Sequence, residues 1–169
     1  MLHEMTVAGL AIDPSSNAPI LILKAAEAPE DAEAEDENEE FSVPIWIGLN
    51  EAAAIASVMQ NIEFDRPMTH DLFKNFIEQA GIKVPKIEVC DLKNNTFYAK
   101  IYCQSKDGEF IVDSRPSDAI ALALRLHADI YVDDIVFQQL KVKDGEYEVA
   151  DDSDQGQKWA EYLQNLSPE

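Results

Sequence analysis

Apolar residues gather in short runs at the start of the chain. Residues 4–12, EMTVAGLAI, and 19–25, PILILKA, read as two strands joined by the turn-rich DPSSN, and FSVPIWIG reads as a third. Between the second and third lies EAPEDAEAEDENEE (residues 27–40), nearly free of large apolar side chains. With strands on both sides it is expected to be an extended, solvated loop kept mobile by self-repulsion. The pattern then becomes helical. NEAAAIASVMQNI opens with Asn50 as N-cap and Glu51 in the first turn, and its four alanines permit close packing around Ile55, Val58 and Met59. After the loop EFDRPM comes THDLFKNFIEQAG, with Thr69 as N-cap and Gly81 just past the end. Its Leu72, Phe73, Phe76, Ile77 and Ala80 make one apolar stripe, predicted to face the core, while Lys74, Asn75 and Glu78 face water.

KIEVCDLKNNTFYAKIYCQSKDGEFIVDS reads as a three-strand meander with tight turns at NN and DG. The helix that follows, Ala119 to Leu126, is apolar nearly all round and is predicted to be buried. DIYVDD gives a short strand, DIVFQQL a short helix, and QKWAEYLQNL an amphipathic helix with Trp159, Tyr162, Leu163 and Leu166 on one side. No internal repeat is visible. The expected fold is a single α+β domain over residues 1–143, a mostly antiparallel sheet with helices packed against it, followed by an acidic tail over 144–169.

Composition sharpens this picture at two points. The net charge is −20, but residues 27–40 carry nine acids and no base, and residues 144–169 carry eight acids against Lys158 alone. Residues 41–143 hold 14 acids and 11 bases, a net of −3, so the acidity belongs to the appendages. A basic face of the kind that neutralises nucleic-acid phosphates is not advertised, and the acidic stretches suit a basic protein partner. Cys90 and Cys103 show no CxxC spacing and are expected to be buried free thiols. No apolar run reaches membrane-spanning length and MLHEMTVAGLAID lacks the pattern of a signal peptide, so a cytoplasmic protein with no membrane role is expected.

Chemistry concentrates in two polar clusters, FDRPMTHD (64–71) and VDSRPSD (112–118), each an Arg-Pro pair followed by hydroxyl and acidic residues at a helix start. In a structural reading, Ser114 or Ser117 caps the buried helix, Asp118 meets its dipole, and Arg115 pairs with an acid of the other cluster. In a functional reading, the two helix starts line one crevice. Arg66, Arg115 and Ser117 would then hold a phosphate, and Asp71, Asp113 and Asp118 would ligate magnesium or manganese. His70, in the first turn of its helix, would stay unprotonated as base or ligand. That set, with Asp113, Arg115, Asp118, His70 and Asp71 as catalytic groups, suits metal-assisted phosphodiester hydrolysis. There is no phosphate-binding glycine loop, HExxH, GxSxG or zinc spacing to support other chemistries.

VPIWIGLNEAAAIA, RPMTHDL and DSRPSDAIALALRLHADIYV, in this order over about Met5 to Phe137, resemble the bifunctional nuclease domain family. The resemblance implies a compact α+β domain, often oligomeric, and a nuclease acting on both DNA and RNA with little sequence preference. Arg66, Thr69, His70 and Asp71 match one family block; Asp113, Arg115, Pro116, Ser117 and Asp118 match the other. The acidic run after Ala26 expands a loop that is usually short in such proteins. The competing expectation is a non-enzymatic interaction or regulatory module that uses the acidic loop and tail.

Overall fold

The structure, a computed structural model, describes residues 1–26 and 42–141. The acidic stretch and the proposed tail helix lie outside the described residues. Seven strands form one sheet: β1 (Leu2–Ile12), β2 (Pro19–Ala25), β3 (Ser42–Trp46), β4 (Lys83–Lys93), β5 (Thr96–Ser105), β6 (Gly108–Ser114) and β7 (Asp129–Asp133). Their order is β3-β2-β1-β7-β4-β5-β6, so two three-strand meanders are joined by the last strand. Every pairing is antiparallel except β4 with β7, which is parallel. The sheet is therefore mixed and mostly antiparallel, in a single α+β domain as expected.

Turn chemistry explains the meanders. Asn94 and Asn95 both take positive φ between Lys93 and Thr96, which pair directly, giving the tight turn that matches strand twist. At the second turn only Gly108 takes positive φ. Asp13 gathers the backbone N–H of Ser15 and both hydroxyls of Ser15 and Ser16, and it also accepts the Trp46 indole N–H, so one carboxylate ties the β1–β2 turn to β3.

Directly paired residues share a face of a sheet. Leu21, Leu23, Val43, Ile45, Met5, Ile130, Val132, Ile87, Val89, Ala99, Ile101 and Cys103 fall on one face and are buried. Four helices supply the other half of this core: α1 (Leu49–Met59), α2 (Thr69–Gln79), α3 (Pro116–Leu126) and α4 (Asp134–Lys141). Ile55, Ile77, Ile120, Leu122, Val136 and Phe137 join the strand residues in one cluster. Burial of α3 is nearly complete, as its all-round apolar sequence predicts. Each fully buried Ile or Leu contributes about 1.5–3 kcal/mol of transfer free energy. Among the described residues no helix is long and apolar enough to cross a membrane.

Three expectations are corrected. The α2 stripe does not face the core: Ile77 is buried, but Leu72 and Phe76 are 61% and 65% exposed and Phe73 is exposed too. α2 rests on α3 rather than on the sheet, so one position of the stripe is enough to anchor it. Helix caps also differ. Gly48, Met68 and Arg115 hold the extended N-cap positions, rather than Asn50, Thr69 and a serine of the second cluster. Gly81 does take a positive φ after α2, closing it with N–H bonds from Gly81 and Ile82 back to Glu78 and Ile77. Finally, Cys103 is buried as expected, whereas Cys90 is only half-buried.

Candidate active site

The two polar clusters meet. The β6–α3 junction ends at Arg115, and Pro116, with its fixed φ, starts α3 without wasting an N–H donor. This puts Asp118 in the first turn of α3, facing the first turn of α2. There the His70 Nε2–H donates to Asp118 Oδ1 at 2.9 Å. Arg115 Nε donates to Asp118 Oδ2 at 2.8 Å, and its Nη2 donates to Glu51 Oε1 at 2.9 Å. A single chain of charge, His70–Asp118–Arg115–Glu51, thus links α2, α3 and α1. Burial pushes the Asp118 carboxyl up, but the hydrogen bonds from Arg115 and His70 and the Arg115 charge outweigh it and hold it below the usual aspartate value.

The chain lies along the wall of an open crevice of about 1090 Å³, whose apolar walls include Phe64, Phe73, Ile101, Val112 and Leu122. Beneath it Arg125, its side chain only 4% exposed, donates from Nε to Asp71 Oδ1 at 2.7 Å. Its other nitrogens reach the Ala121 carbonyl at 2.9 Å and Ser57 Oγ at 3.4 Å. Asp71 also accepts the Met68 N–H at 3.0 Å, satisfying one orphan donor at the start of α2. Burial raises the Asp71 carboxyl, and Arg125 and the Met68 amide reverse the shift, leaving it below the ordinary value.

Of the residues singled out from sequence, His70, Arg115 and Asp118 are brought together, with Thr69 beside them on the wall. Asp71 is turned to Arg125 instead. Asp113 borders the crevice, but it is exposed and sits opposite Lys100 in the β5–β6 register, next to the core-facing Ile101. Ser117 is buried in α3, and Arg66 is exposed on the loop before α2; neither is a wall residue. Ser114 does not cap α3 but donates to the Arg115 carbonyl at 2.9 Å. Asp71, Asp113 and Asp118 therefore do not form one ligand set. Among the described residues no three His, Cys, Asp or Glu side chains are grouped to hold a metal ion. Sequence reasoning missed Glu51 and Arg125 as members of the site. Glu51 was visible only as a first-turn acid, but an arginine inside the apolar run ALALRLHA was a signal, since a buried guanidinium requires a carboxylate partner.

The fold is thus a two-layer α+β domain with a His–Asp–Arg crevice at paired helix starts. The chain belongs to the bifunctional nuclease domain family, whose model matches residues 34–144. An uncharacterized protein of Mycobacterium tuberculosis is 35% identical over 99% of this chain and 97% of its own length. Bifunctional nuclease 1 of Oryza sativa subsp. japonica is 23% identical over 57% of this chain and 30% of its own length. Bifunctional nuclease 2 of Arabidopsis thaliana is 28% identical over 53% and 28%. The match thus spans under a third of each plant relative.

Proposed function

We propose that the chain is a nuclease that cleaves phosphodiester bonds of DNA and RNA with little sequence preference, at the crevice between α2 and α3. The observation that carries this reading is the His70 Nε2–Asp118 Oδ1 bond of 2.9 Å on the crevice wall. A carboxylate accepting from Nε2 orients the ring and assigns the proton to that nitrogen, leaving Nδ1 as the acceptor of the neutral imidazole. Nδ1 then takes the proton from the attacking group, a ribose 2′-hydroxyl in RNA or a water in DNA, as the new P–O bond forms; the P–O bond to the ester oxygen breaks, and that oxygen leaves with a proton taken from solvent water. Arg115, exposed beside the dyad, is the phosphate contact, and exchanges Glu51 for a phosphate oxygen. Asp118 and Glu51 both hold Arg115, and any aid from magnesium or manganese is read from the metal dependence of cleavage.

His70→Gln should lower the rate by roughly 10²–10⁴-fold, the usual worth of a general base, with the melting temperature little changed. Asp118→Asn should lower it as well, since the ring loses the charged acceptor that orients it. Rates are measured on single-stranded and duplex substrates with EDTA, magnesium or manganese. Cleavage by wild type no greater than a mock purification, or full activity in folded His70→Gln, overturns the proposal. One observation favours the interaction module instead: Glu51, His70, Asp71, Arg115, Asp118 and Arg125 are all bonded within the protein. In that reading they brace three helices, and the acids of 27–40 and 144–169 meet a basic protein partner.

A further inference from the structure

A nucleic acid can be held by its phosphates or by its bases, and the crevice is poorly equipped for the first. Its charged lining residues, His70 aside, are Glu51, Asp113, Asp118, Arg115 and Arg125. Arg125 is buried and turned to Asp71, so among the lining residues Arg115, with its side chain 65% exposed, is the cation that reaches solvent. Glu51 and Asp118 already hold its guanidinium, and Asp113 adds a third carboxylate. A run of phosphates laid along this wall would meet net negative charge, which forfeits the counterion release that drives backbone binding. For bases the crevice is better furnished. The rings of Phe64 and Phe73 line it, half-buried and 45% exposed respectively. Phe73 stands three residues after His70 on α2, so it shares that helix face about 4.5 Å further along the axis. Asn50 and Thr69, both exposed, add neutral hydrogen-bonding groups to the lining.

We infer that the crevice takes unpaired nucleotides of a single strand, stacking their bases on Phe64 and Phe73 and contacting one phosphate through Arg115. This rests on the nuclease reading of the same crevice and names its substrate class. In a duplex each base face is covered by its neighbours, so only backbone phosphates and groove edges remain to be bound, and the crevice offers one usable cation for them. Size points the same way. A volume of about 1090 Å³ stands at the upper end of small-molecule sites, roughly 300–1,000 Å³, with room for a few nucleotides but not for the body of a double helix. Stacking also tolerates any sequence, because every base has a π face. Duplex substrates are then cut only where they open.

Isothermal titration calorimetry of the full chain over a salt series tests this, with a short thymidine oligonucleotide and a duplex, both phosphorothioate-linked to resist cleavage. The single strand should bind more tightly than the duplex, and its log affinity should fall against log salt with a slope of about −0.7, the value for one phosphate. Phe64→Ala and Phe73→Ala should each weaken single-strand binding roughly 5- to 150-fold, the range for one stacked base, while Phe73→Tyr keeps the ring and the affinity. If Phe64→Ala fails to fold by circular dichroism, Phe64→Leu, which keeps apolar bulk without a ring, is read the same way. The inference is overturned by no single-strand binding, by duplex binding as tight or tighter, or by a slope steeper than about −2, which means three or more phosphates. Unchanged affinity in both folded alanine variants, or a loss in Phe73→Tyr as large as in Phe73→Ala, overturns it too. The two readings fail separately. Ring-dependent single-strand binding by a wild type that cleaves nothing removes the nuclease and keeps the base site, whereas cleavage by a protein that binds duplex equally well does the reverse.

Discussion

Asp71→Asn isolates the buried guanidinium beneath the crevice. Arg125 would keep the Ala121 carbonyl and Ser57 hydroxyl but lose its carboxylate partner. Removing one partner of a fully buried pair costs about 3–5 kcal/mol; Asp71 is a third exposed, so water partly replaces it and about 2–3 kcal/mol is expected. At roughly 3 °C per kcal/mol for a domain of this size, the melting temperature should fall by about 6–9 °C. The sign with pH follows from the depressed folded-state value of Asp71. Its contribution is complete above the ordinary value of 3.8 and is lost as pH falls through the lower folded value. The gap between wild type and variant should therefore be full at neutral pH and close only in that acid window. Urea unfolding of Asp71→Asn, Arg125→Met and the double variant measures the coupling. The double variant should cost at least about 1 kcal/mol less than the sum of the singles, since it leaves no buried charge unpaired. Additivity within about 0.5 kcal/mol, or a single-variant loss below about 1 kcal/mol, would refute the buried-pair reasoning.

Replacing residues 27–40 with a short turn should leave far-UV circular dichroism unchanged and the melting temperature equal or higher, because Lys24 and Ser42 are already directly paired neighbours and fourteen residues with nine acids are removed; a loss of several degrees would count against it. Thiol titration of the native protein should label Cys90 slowly and Cys103 only on unfolding, since burial pushes both thiols up and away from the reactive thiolate; rapid native labelling of Cys103 would contradict its placement.

Local signals in the chain were the most legible. NN between two apolar runs specified a hairpin, Gly81 a helix end, and the largely apolar helix after Pro116 a buried element. What pairs at long range was not. The seating of β7 beside both β1 and β4 depends on contacts more than a hundred residues apart on one side, and no local pattern encodes it. The α2 stripe announced an apolar face without saying what covers it. Within the site, both clusters were visible as motifs, and His70, Arg115 and Asp118 were among the residues chosen. Their meeting was not visible, because Arg115 reaches Glu51 across 64 positions and His70 reaches Asp118 across 48. Asp113 was chosen for its charge, although strand alternation beside Val112 already argued that the two face opposite ways.

The parallel strand between the two meanders has a consequence for how the molecule assembles. β1–β2–β3 and β4–β5–β6 can each form from neighbouring segments, at small loop-closure cost. Neither meander pairs with the other; both pair with β7, which leaves the ribosome after all the rest of the sheet. α1 and α2 follow the first meander and α3 follows the second, so the His70–Asp118 and Asp71–Arg125 bonds both cross this seam. Nascent chains halted before residue 129 should hold two separately formed hairpin units and no completed crevice. Pairing of the two meanders within the sheet thus waits on five residues, Asp129 to Asp133, and requires synthesis of almost all the described domain.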